Sequence, residues 1–491
     1  MNRWARPTPV RGEVEGDRTR PGQKREPSRD RVAQFLLPVT TALFVAVSAP
    51  VVWRGAPLGD DFNNCLAPIE QGLGGFLDAS WERLGIIRAA RFLEILLSTG
   101  VCRSLPFGVA IAVPLLLTIL VAVLLRQLLR DLDVPPLWAD AGAALWLLQP
   151  LGSESALWPA ALHVPLGLAL ALGSLLLFRR GHALWAAVAA VGAFLSVEQV
   201  IFALPLAAWL ITPANRRSHS AKVAAAAAGA TLIAFLLWPG SDPRLQATIG
   251  ERVIGVLRDP LFYAQYPAVG LGAHSIPLAI AWAFPLSLVA LVAAGAVGAW
   301  LGPRVAGEVR RAPVRSGVVG VAFLVLLVNI PVILAVPRQG SPRVFTPTWL
   351  VLAGGAAAVA TAVRWRRPAV LGATAGLLAA GALLSLTWSA QVRVASADVV
   401  EHAARELGAQ VRDGDVVALC GVPRTLVKPA PRGAFAVHEF IYDWAAADAV
   451  AFYSGRHVEF RLAGELWAES CPDARDVDIV VPFDELLPVR Q

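Results

Sequence analysis

The chain has 491 residues, of which 56% are hydrophobic and only 16% are charged, and its mean hydropathy is +0.58. This composition excludes an ordinary water-soluble globular protein and indicates a polytopic helical membrane protein. The formal net charge of +7 does not indicate nucleic-acid binding, because the basic residues form short clusters between apolar segments, where they set membrane topology.

The chain begins with a polar segment rich in Pro, Arg and Glu. Residues 1–31 are predicted to be a disordered cytoplasmic tail, because they contain almost no apolar side chains that a folded core could bury. The apolar segment that follows is long enough for one bilayer crossing and lacks a small-residue cleavage pattern at its end. We therefore expect it to remain in the protein as a signal anchor.

Eleven apolar segments predict about eleven transmembrane helices. They lie near residues 32–53, 105–125, 137–151, 155–178, 183–196, 198–212, 220–238, 276–301, 317–337, 344–363 and 369–388. With eleven helices, the basic clusters between them fall on one side together with the N-terminus, and that side is predicted to be cytoplasmic. The transmembrane domain then covers residues 32–388, with outer loops at residues 54–104 and 239–275.

The stretch from Ala183 to Thr212 allows two interpretations. Basic clusters lie at both of its ends, and the positive-inside rule favours placing both clusters in the cytoplasm. Two short helices that meet at residues 196–199, with Glu198 near the outer surface, satisfy that rule. One tilted helix is the alternative.

The C-terminal hundred residues differ in character from the apolar part. Strand-like runs occur near residues 415–420, 457–462 and 476–482, and a helix is predicted near residues 443–453. Residues 389–491 are therefore predicted to form a small extracytoplasmic α/β domain. The fold class is an all-α polytopic membrane protein that carries this domain.

All four cysteines fall on the predicted outer side of the membrane. In an oxidising compartment the natural pairing is two local disulfides, Cys65–Cys102 and Cys420–Cys471. The alternative is that the cysteines are reduced and serve as small apolar side chains. No CxxC motif or histidine cluster points to a metal site.

Two adjacent carboxylates, Asp60 and Asp61, lie just beyond the first apolar segment, at the predicted outer membrane surface. They are candidates for a catalytic site, and a helix cap or an Asx turn is the structural alternative. Further along the same loop, residues 81–99 have the pattern of an interfacial helix with Arg91 on its polar edge. A helix packed on its neighbours, with a solvated basic edge, is the alternative.

This arrangement resembles the GT-C superfamily of integral membrane glycosyltransferases. The resemblance rests on the signal anchor, the acid pair that opens the first outer loop, the many helices and the C-terminal domain. It also rests on Glu154, in a short second outer loop at residues 152–155, and on the turn between Arg338 and Arg343. It implies a polyprenyl-phosphate-sugar donor and a glycan, glycolipid or protein acceptor. It also implies that the first-loop acid acts on the acceptor and that the second-loop acid assists it or holds a divalent ion, so that Asp60 and Glu154 would bind Mg²⁺ or Mn²⁺ if a metal is used.

Glycosyl transfer needs a general base, stabilisation of an oxocarbenium-like centre and cationic groups for the departing phosphate. Asp60 or Asp61 is the predicted base, and Glu198 is a further catalytic candidate because ionisable residues within apolar spans usually face a cavity or a partner. The alternative is that Glu198 is a hydrated turn residue between two short helices. The predicted phosphate and substrate contacts are Arg338, Arg343, Arg91, Trp158 and His274. Arg338 and Arg343 would otherwise anchor helix ends, and His163 is interpreted as a packing residue.

The sequence thus predicts a glycosyltransferase of the bacterial inner membrane that binds membrane lipid and a lipid-linked donor and does not bind nucleic acid. The N-terminus is predicted to be cytoplasmic and the C-terminus extracytoplasmic. A lipid or glycolipid transporter or flippase is one rival class, although the chain shows no evident internal repeat. A non-catalytic envelope assembly protein is the other. The identity of the sugar, carrier and acceptor is set by cavity shape, which the sequence does not reveal.

Overall fold

The computed structural model describes residues 27–57, 59–84, 90–148, 153–237, 292–297, 299–300, 320–325, 327–328, 346–361, 368–421, 443–460 and 477–487. Residues 1–26 of the predicted tail and the outer loop at 239–275 lie outside these ranges. So do most of the predicted crossings at 276–301 and 317–337.

The described part of the chain is mostly helical. Its helices are α1 (Pro27–Arg54), α2 (Asp60–Glu70), α3 (Leu73–Leu84), α4 (Arg91–Ser104), α5 (Gly108–Asp131), α6 (Pro136–Leu147), α7 (Ser153–Leu157), α8 (His163–Arg180), α9 (Ala183–Ser196), α10 (Ala203–Ile211), α11 (Arg217–Leu237), α12 (Thr346–Ala360), α13 (Pro368–Gln410) and α14 (Asp443–Ser454).

Within the described residues, five helical segments are long and apolar enough to cross a membrane. They are Gln34–Arg54, Gly108–Asp131, Pro159–Arg180, Arg217–Leu237 and Gly372–Gln410, and two shorter apolar helices are Ala183–Ser196 and Thr346–Ala360. Large apolar side chains such as Phe35, Leu116 and Leu236 are exposed on the outside of these helices, as membrane insertion requires. The crossing predicted at residues 137–151 corresponds to α6, whose 12 residues give a length of only about 18 Å.

The stretch from Ala183 to Thr212 forms two helices. Helix α9 ends at Ser196, a 3₁₀ turn spans Glu198–Val200, and α10 begins at Ala203. The Arg179 guanidinium, at the end of α8, donates a hydrogen bond of 2.7 Å to the carbonyl of Ile211. Helix α10 therefore returns to the end of the bundle from which α9 starts, and the interpretation as two short helices is correct.

Arginines and two acidic residues form an ion network where α5, α6, α8 and α10 meet, which we call the arginine end. Arg126 is hydrogen-bonded to the fully buried Asp140, and Arg130 lies 3.9 Å from the same carboxylate. Arg180 pairs with Asp131, whose carbonyl accepts a hydrogen bond from Arg179. Two of the basic clusters that the sequence assigns to one membrane side, at residues 126–130 and 179–180, thus lie at one end of the bundle.

The opposite end, which we call the loop end, consists of α2, α3, α4 and residues 153–163. Helix α1 ends there against the start of α5, and Gly55 and Gly108 allow the close approach. A Cβ atom at Gly108 would clash with the carbonyl oxygen of Val52, and Gly55 adopts a φ of +58°. This contact brings the beginning and the end of the loop of residues 54–104 together.

Helix α13 runs without a break through the boundary that the sequence analysis places between residues 388 and 389. Its 43 residues give a length of about 65 Å, roughly twice the thickness of a bilayer core. No proline occurs after Pro368 in this helix, and its charged half keeps a helical period, so nothing ends it at the membrane surface. Arg54 of α1 holds its far half through ion pairs with Asp398 and Glu401.

A small parallel sheet with strand order β2-β1-β3 follows α13. Strand β1 is Val416–Cys420, β2 is Glu459–Phe460 and β3 is Ile479–Pro482, close to the three predicted runs. Helix α14 connects β1 to β2, as a parallel crossover requires. The core between the sheet, α14 and the end of α13 also contains Phe62 of α2, which is distant from the other core residues in sequence.

Candidate active site

The acid pair opens α2, but its two carboxylates point into different surroundings. Gly59 precedes the helix with a φ of +52°, and no side chain caps the helix N-terminus. The Asp60 side chain is 30% exposed, whereas Asp61 is fully buried. Gly59 is the N-cap residue, and both aspartates lie in the first turn of the helix, where a carboxylate interacts favourably with the helix dipole.

Asp61 joins the loop of residues 54–104 to the segment of residues 153–163. Its Oδ1 accepts a hydrogen bond of 3.0 Å from the backbone N–H of Ala160, in the 3₁₀ turn Pro159–Ala161. A buried carboxylate that accepts a backbone N–H satisfies a donor that would otherwise be unpaired. This hydrogen bond thus holds the start of α2 against the turn Pro159–Ala161.

Asp60 begins a chain of charged side chains that runs into the protein. The guanidinium of Arg91, in the first turn of α4, places Nη1 3.5 Å from Asp60 Oδ2 and 3.7 Å from Glu94 Oε2. Arg91 is partly exposed, whereas Glu94 is fully buried. The helical period predicted for residues 81–99 puts Glu94 on the same polar edge as Arg91, but α4 begins at Arg91 and Glu94 faces the interior.

His163 is the inner end of this chain. Its Nδ1 lies 2.6 Å from Glu94 Oε1, and its backbone N–H donates a 2.9 Å hydrogen bond to the same oxygen. His163 begins α8, and Glu94 thereby binds both the ring and the first turn of that helix. We call Asp60, Arg91, Glu94 and His163 the ionic chain. The packing interpretation of His163 misses its contact with a buried carboxylate.

Buried polar atoms without hydrogen bonds are concentrated between α2 and α4. Within the described residues they include both side-chain polar atoms of Asn64, Ser98 Oγ and Glu94 Oε2. Thr99 hydrogen-bonds the carbonyl of Asn64 at 3.1 Å, and a disulfide joins Cys65 to Cys102, so the two helices are held tightly at this seam. Such groups usually pair in a folded protein, and their clustering is typical of a place that binds water or substrate.

The C-terminal part contacts the same helix. The Phe62 ring packs edge-on against Phe452 and Tyr453 of α14, with centroids 5.4 and 5.8 Å away. Beside it, burial raises the pKa of Asp448 to about 6; a hydrogen bond with Asn63 lowers it, and the charges of Glu70 and Asp60 raise it. Helix α2 thus presents Asp60 to the ionic chain, Asp61 to the segment of residues 153–163 and Phe62 to α14.

Of the other predicted site residues, Trp158 lies beside the acid pair. A Cβ atom on Gly59 would be 3.5 Å from its indole ring, which places Trp158 against the residue before Asp60. Glu198 is half-buried in the turn after α9, and the neighbouring Val197 packs on Gly167, one turn beyond His163. Glu198 therefore lies near the same end of α8.

Several predicted residues cannot be placed in this site. The backbone of Glu154 belongs to α7, but its side chain is outside the described part, and so are Arg338, Arg343 and His274. Cys420 is disulfide-bonded, and its predicted partner Cys471 is likewise outside. No group of three His, Cys, Asp or Glu residues suited to a metal ion occurs within the ranges that the structure describes.

The ionic chain alternates acidic and basic groups from a partly exposed carboxylate to a buried imidazole. Such a chain can neutralise an anionic substrate, through Arg91, and move a proton, through His163 or Asp60. Comparison with known proteins adds nothing to this description: no family model matches the chain, and neither a curated protein nor a solved structure matches it.

Proposed function

We propose that the protein is a membrane glycosyltransferase that moves a sugar from a polyprenyl-phosphate donor to a hydroxyl of an extracytoplasmic glycan, glycolipid or protein. The observation that carries this proposal is the ionic chain, which joins α2, α4 and α8 at the loop end. It offers a reachable carboxylate, a cation and an oriented imidazole within one small region. Transfer from a sugar phosphate needs a general base and a cation for the departing phosphate, and these groups can supply both.

The positions of the charges support an outward-facing site in the bacterial inner membrane. The arginine end lies at the other end of the bundle from the ionic chain, and positive clusters favour the cytoplasmic side. The N-terminus of α1 is then cytoplasmic, and the C-terminal sheet is an extracytoplasmic domain. The disulfide at Cys65 and Cys102 fits an oxidising compartment on the same side as the site.

Asp60 is the member of the acid pair that can act at the reacting centre. It retains 30% of its side-chain exposure, whereas Asp61 is buried and bonded to the Ala160 N–H. The sequence predicts an aspartate of this loop as general base. As base it would accept the proton of the acceptor hydroxyl, and as counter-ion it would position Arg91 at the phosphate. Arg91 is the cation for the departing phosphate, and Trp158 lies close enough to stack on a sugar.

The test is transfer by the full-length protein in lipid nanodiscs. A panel of radiolabelled polyprenyl-phosphate sugars, carrying mannose, glucose or arabinose, is incubated with a bacterial envelope glycan extract. We expect a new glycosidic bond with the wild type and a loss of about 100-fold or more with Asp60→Asn. Asp78→Asn, an exposed change on α3, is the matched control and keeps the wild-type rate.

The rival classes give different results in that experiment. A flippase moves labelled lipid across sealed vesicles without forming a glycosidic bond. An assembly protein shows no transfer and keeps its cellular role when Asp60 is changed to Asn. If Asp60→Asn folds normally and leaves the glycan and glycolipid profile of the cell unchanged, the proposal is wrong.

A further inference from the structure

The ring of His163 is held in one orientation by a single carboxylate. Glu94 Oε1 is 2.6 Å from Nδ1 and also accepts the His163 backbone N–H at 2.9 Å. With Glu94 ionised, its carboxylate can only accept hydrogen bonds, and Nδ1 then carries the hydrogen in this pair. The neutral ring then has its lone pair on Nε2.

The second ring nitrogen of His163 is available. Within the described residues Nε2 makes no hydrogen bond, and the side chain retains 11% of its accessible surface. A carboxylate on one nitrogen and a free second nitrogen is the arrangement by which a histidine acts as a general base. Neither feature is needed by a histidine that only fills space.

The two aspartates of the first loop are already engaged. Asp61 Oδ1 accepts the Ala160 N–H, and Asp60 Oδ2 faces the Arg91 guanidinium at 3.5 Å. His163 lies at the other end of the same ionic chain, where the buried Glu94 can compensate a positive charge on the ring. Histidine is also the side chain best suited to take up a proton near neutral pH.

We propose that Nε2 of His163 accepts the proton of the acceptor hydroxyl and that Asp60 serves as the counter-ion of Arg91. This inference rests on the proposed transfer. As the acceptor oxygen bonds to the anomeric carbon, its hydrogen passes to Nε2, and the bond from that carbon to the phosphate oxygen breaks. The electron pair of the broken bond stays on the oxygen of the polyprenyl phosphate. The imidazolium, paired with Glu94, then releases its proton to water.

Access to Nε2 can be tested without any donor. Diethylpyrocarbonate acylates an unprotonated, reachable imidazole nitrogen, and mass spectrometry of the full-length protein in nanodiscs locates the product. We expect modification of His163, slowed when polyprenyl-phosphate mannose is present. If exposed histidines such as His182 are modified and His163 is not, Nε2 is not accessible and the proposal is overturned.

Kinetics test the proton transfer itself. His163→Asn keeps a donor in the place of Nδ1 and removes Nε2, and we expect its transfer rate to fall by about 100- to 10,000-fold. His163→Ala should regain part of its rate when imidazole is added, which a purely structural residue would not allow. His182→Asn, at the arginine end, is the matched control and should keep the wild-type rate.

The outcomes separate the two proposals. If the wild type transfers no sugar from the panel, the proposed function fails and this inference fails with it. If the wild type transfers sugar and Asp60→Asn is inactive while folded His163→Asn keeps its rate, only the assignment of His163 is wrong. Loss of transfer in His163→Asn with imidazole rescue of His163→Ala supports both.

Discussion

The two ends of the bundle each contain a fully buried carboxylate, and the two are satisfied differently. At the arginine end, both oxygens of Asp140 are hydrogen-bonded by Arg126. At the loop end, Glu94 uses Oε1 for His163, while Oε2 has no hydrogen bond within the described residues. A fully hydrogen-bonded ion pair such as that of Asp140 holds helices together. A buried carboxylate with an unsatisfied oxygen, such as Glu94, is typical of functional sites.

The largest expected effect is on Glu94. Glu94→Gln removes the charge that compensates a protonated His163, and transfer should fall by about 100-fold or more while the shape of the side chain is kept. Transfer assays and thermal unfolding are measured on the same nanodisc samples. A variant that unfolds early but transfers at the wild-type rate per folded molecule would mean that Glu94 is structural, like Asp140.

Asp140→Asn is the counterpart at the arginine end. It leaves the Arg126 guanidinium facing an uncharged group in a partly buried position, and the free energy of unfolding should decrease by about 3 kcal/mol. The rate of transfer per folded molecule should not change. Denaturant unfolding in detergent together with the transfer assay checks both statements. A transfer defect without a loss of stability would contradict the assignment of this end to structure.

The pH dependence of the contact between α2 and α14 is a smaller effect. The pKa of Asp448 is raised to about 6 by burial and by the charges of Glu70 and Asp60, against the hydrogen bond from Asn63. A carboxyl whose folded-state pKa is raised stabilises the contact at low pH, and that contribution is lost as the pH rises from about 4 to about 6. Limited proteolysis of the C-terminal part should therefore be slower at pH 4.5 than at pH 7.

Asp448→Asn is the test of that pH dependence. It should make the contact more stable at pH 7 by about 1 kcal/mol, after allowance for partial solvent screening, and remove the dependence on pH. The neighbouring titratable groups, Asp60, Glu70 and His457, are unchanged in the variant. If proteolysis of Asp448→Asn keeps the wild-type pH profile, one of these groups is responsible instead.

The smallest expected effect is on Asp61. Asp61→Asn keeps an oxygen that can accept the Ala160 N–H, so transfer should fall less than about threefold and stability by less than about 1 kcal/mol. Asp61→Ala should cost more stability, because it leaves the Ala160 donor buried without a partner. Parallel transfer and unfolding measurements on both variants check this. Equal activity losses in Asp60→Asn and Asp61→Asn would contradict the separation of their roles.

Local signals predicted the parts of the molecule that depend on neighbouring residues. Charge bias and length predicted the two short helices of residues 183–212, and alternation predicted the three strands. The acid pair was recognised because carboxylates follow an apolar segment directly. Each of these features is encoded within a short local segment, so a single sequence suffices.

The internal contacts of the site could not be predicted in that way. Glu94 and His163 are 69 residues apart, and Asp61 and Ala160 are 99 apart. Helical period places Glu94 on a polar edge, and only the packing of α4 against the start of α8 reveals that this edge faces inward. The continuity of α13 was not predicted, because the composition changes from apolar to charged near residue 389.

The most direct measurement compares Asp60→Asn with Asp140→Asn in one transfer assay, with rates expressed per folded molecule in nanodiscs. If the loop end is the reacting centre of a lipid-dependent glycosyltransferase, Asp60→Asn loses about 100-fold or more of the rate and Asp140→Asn keeps it. Wild-type transfer by folded Asp60→Asn, or an equal loss in both variants, would contradict this assignment.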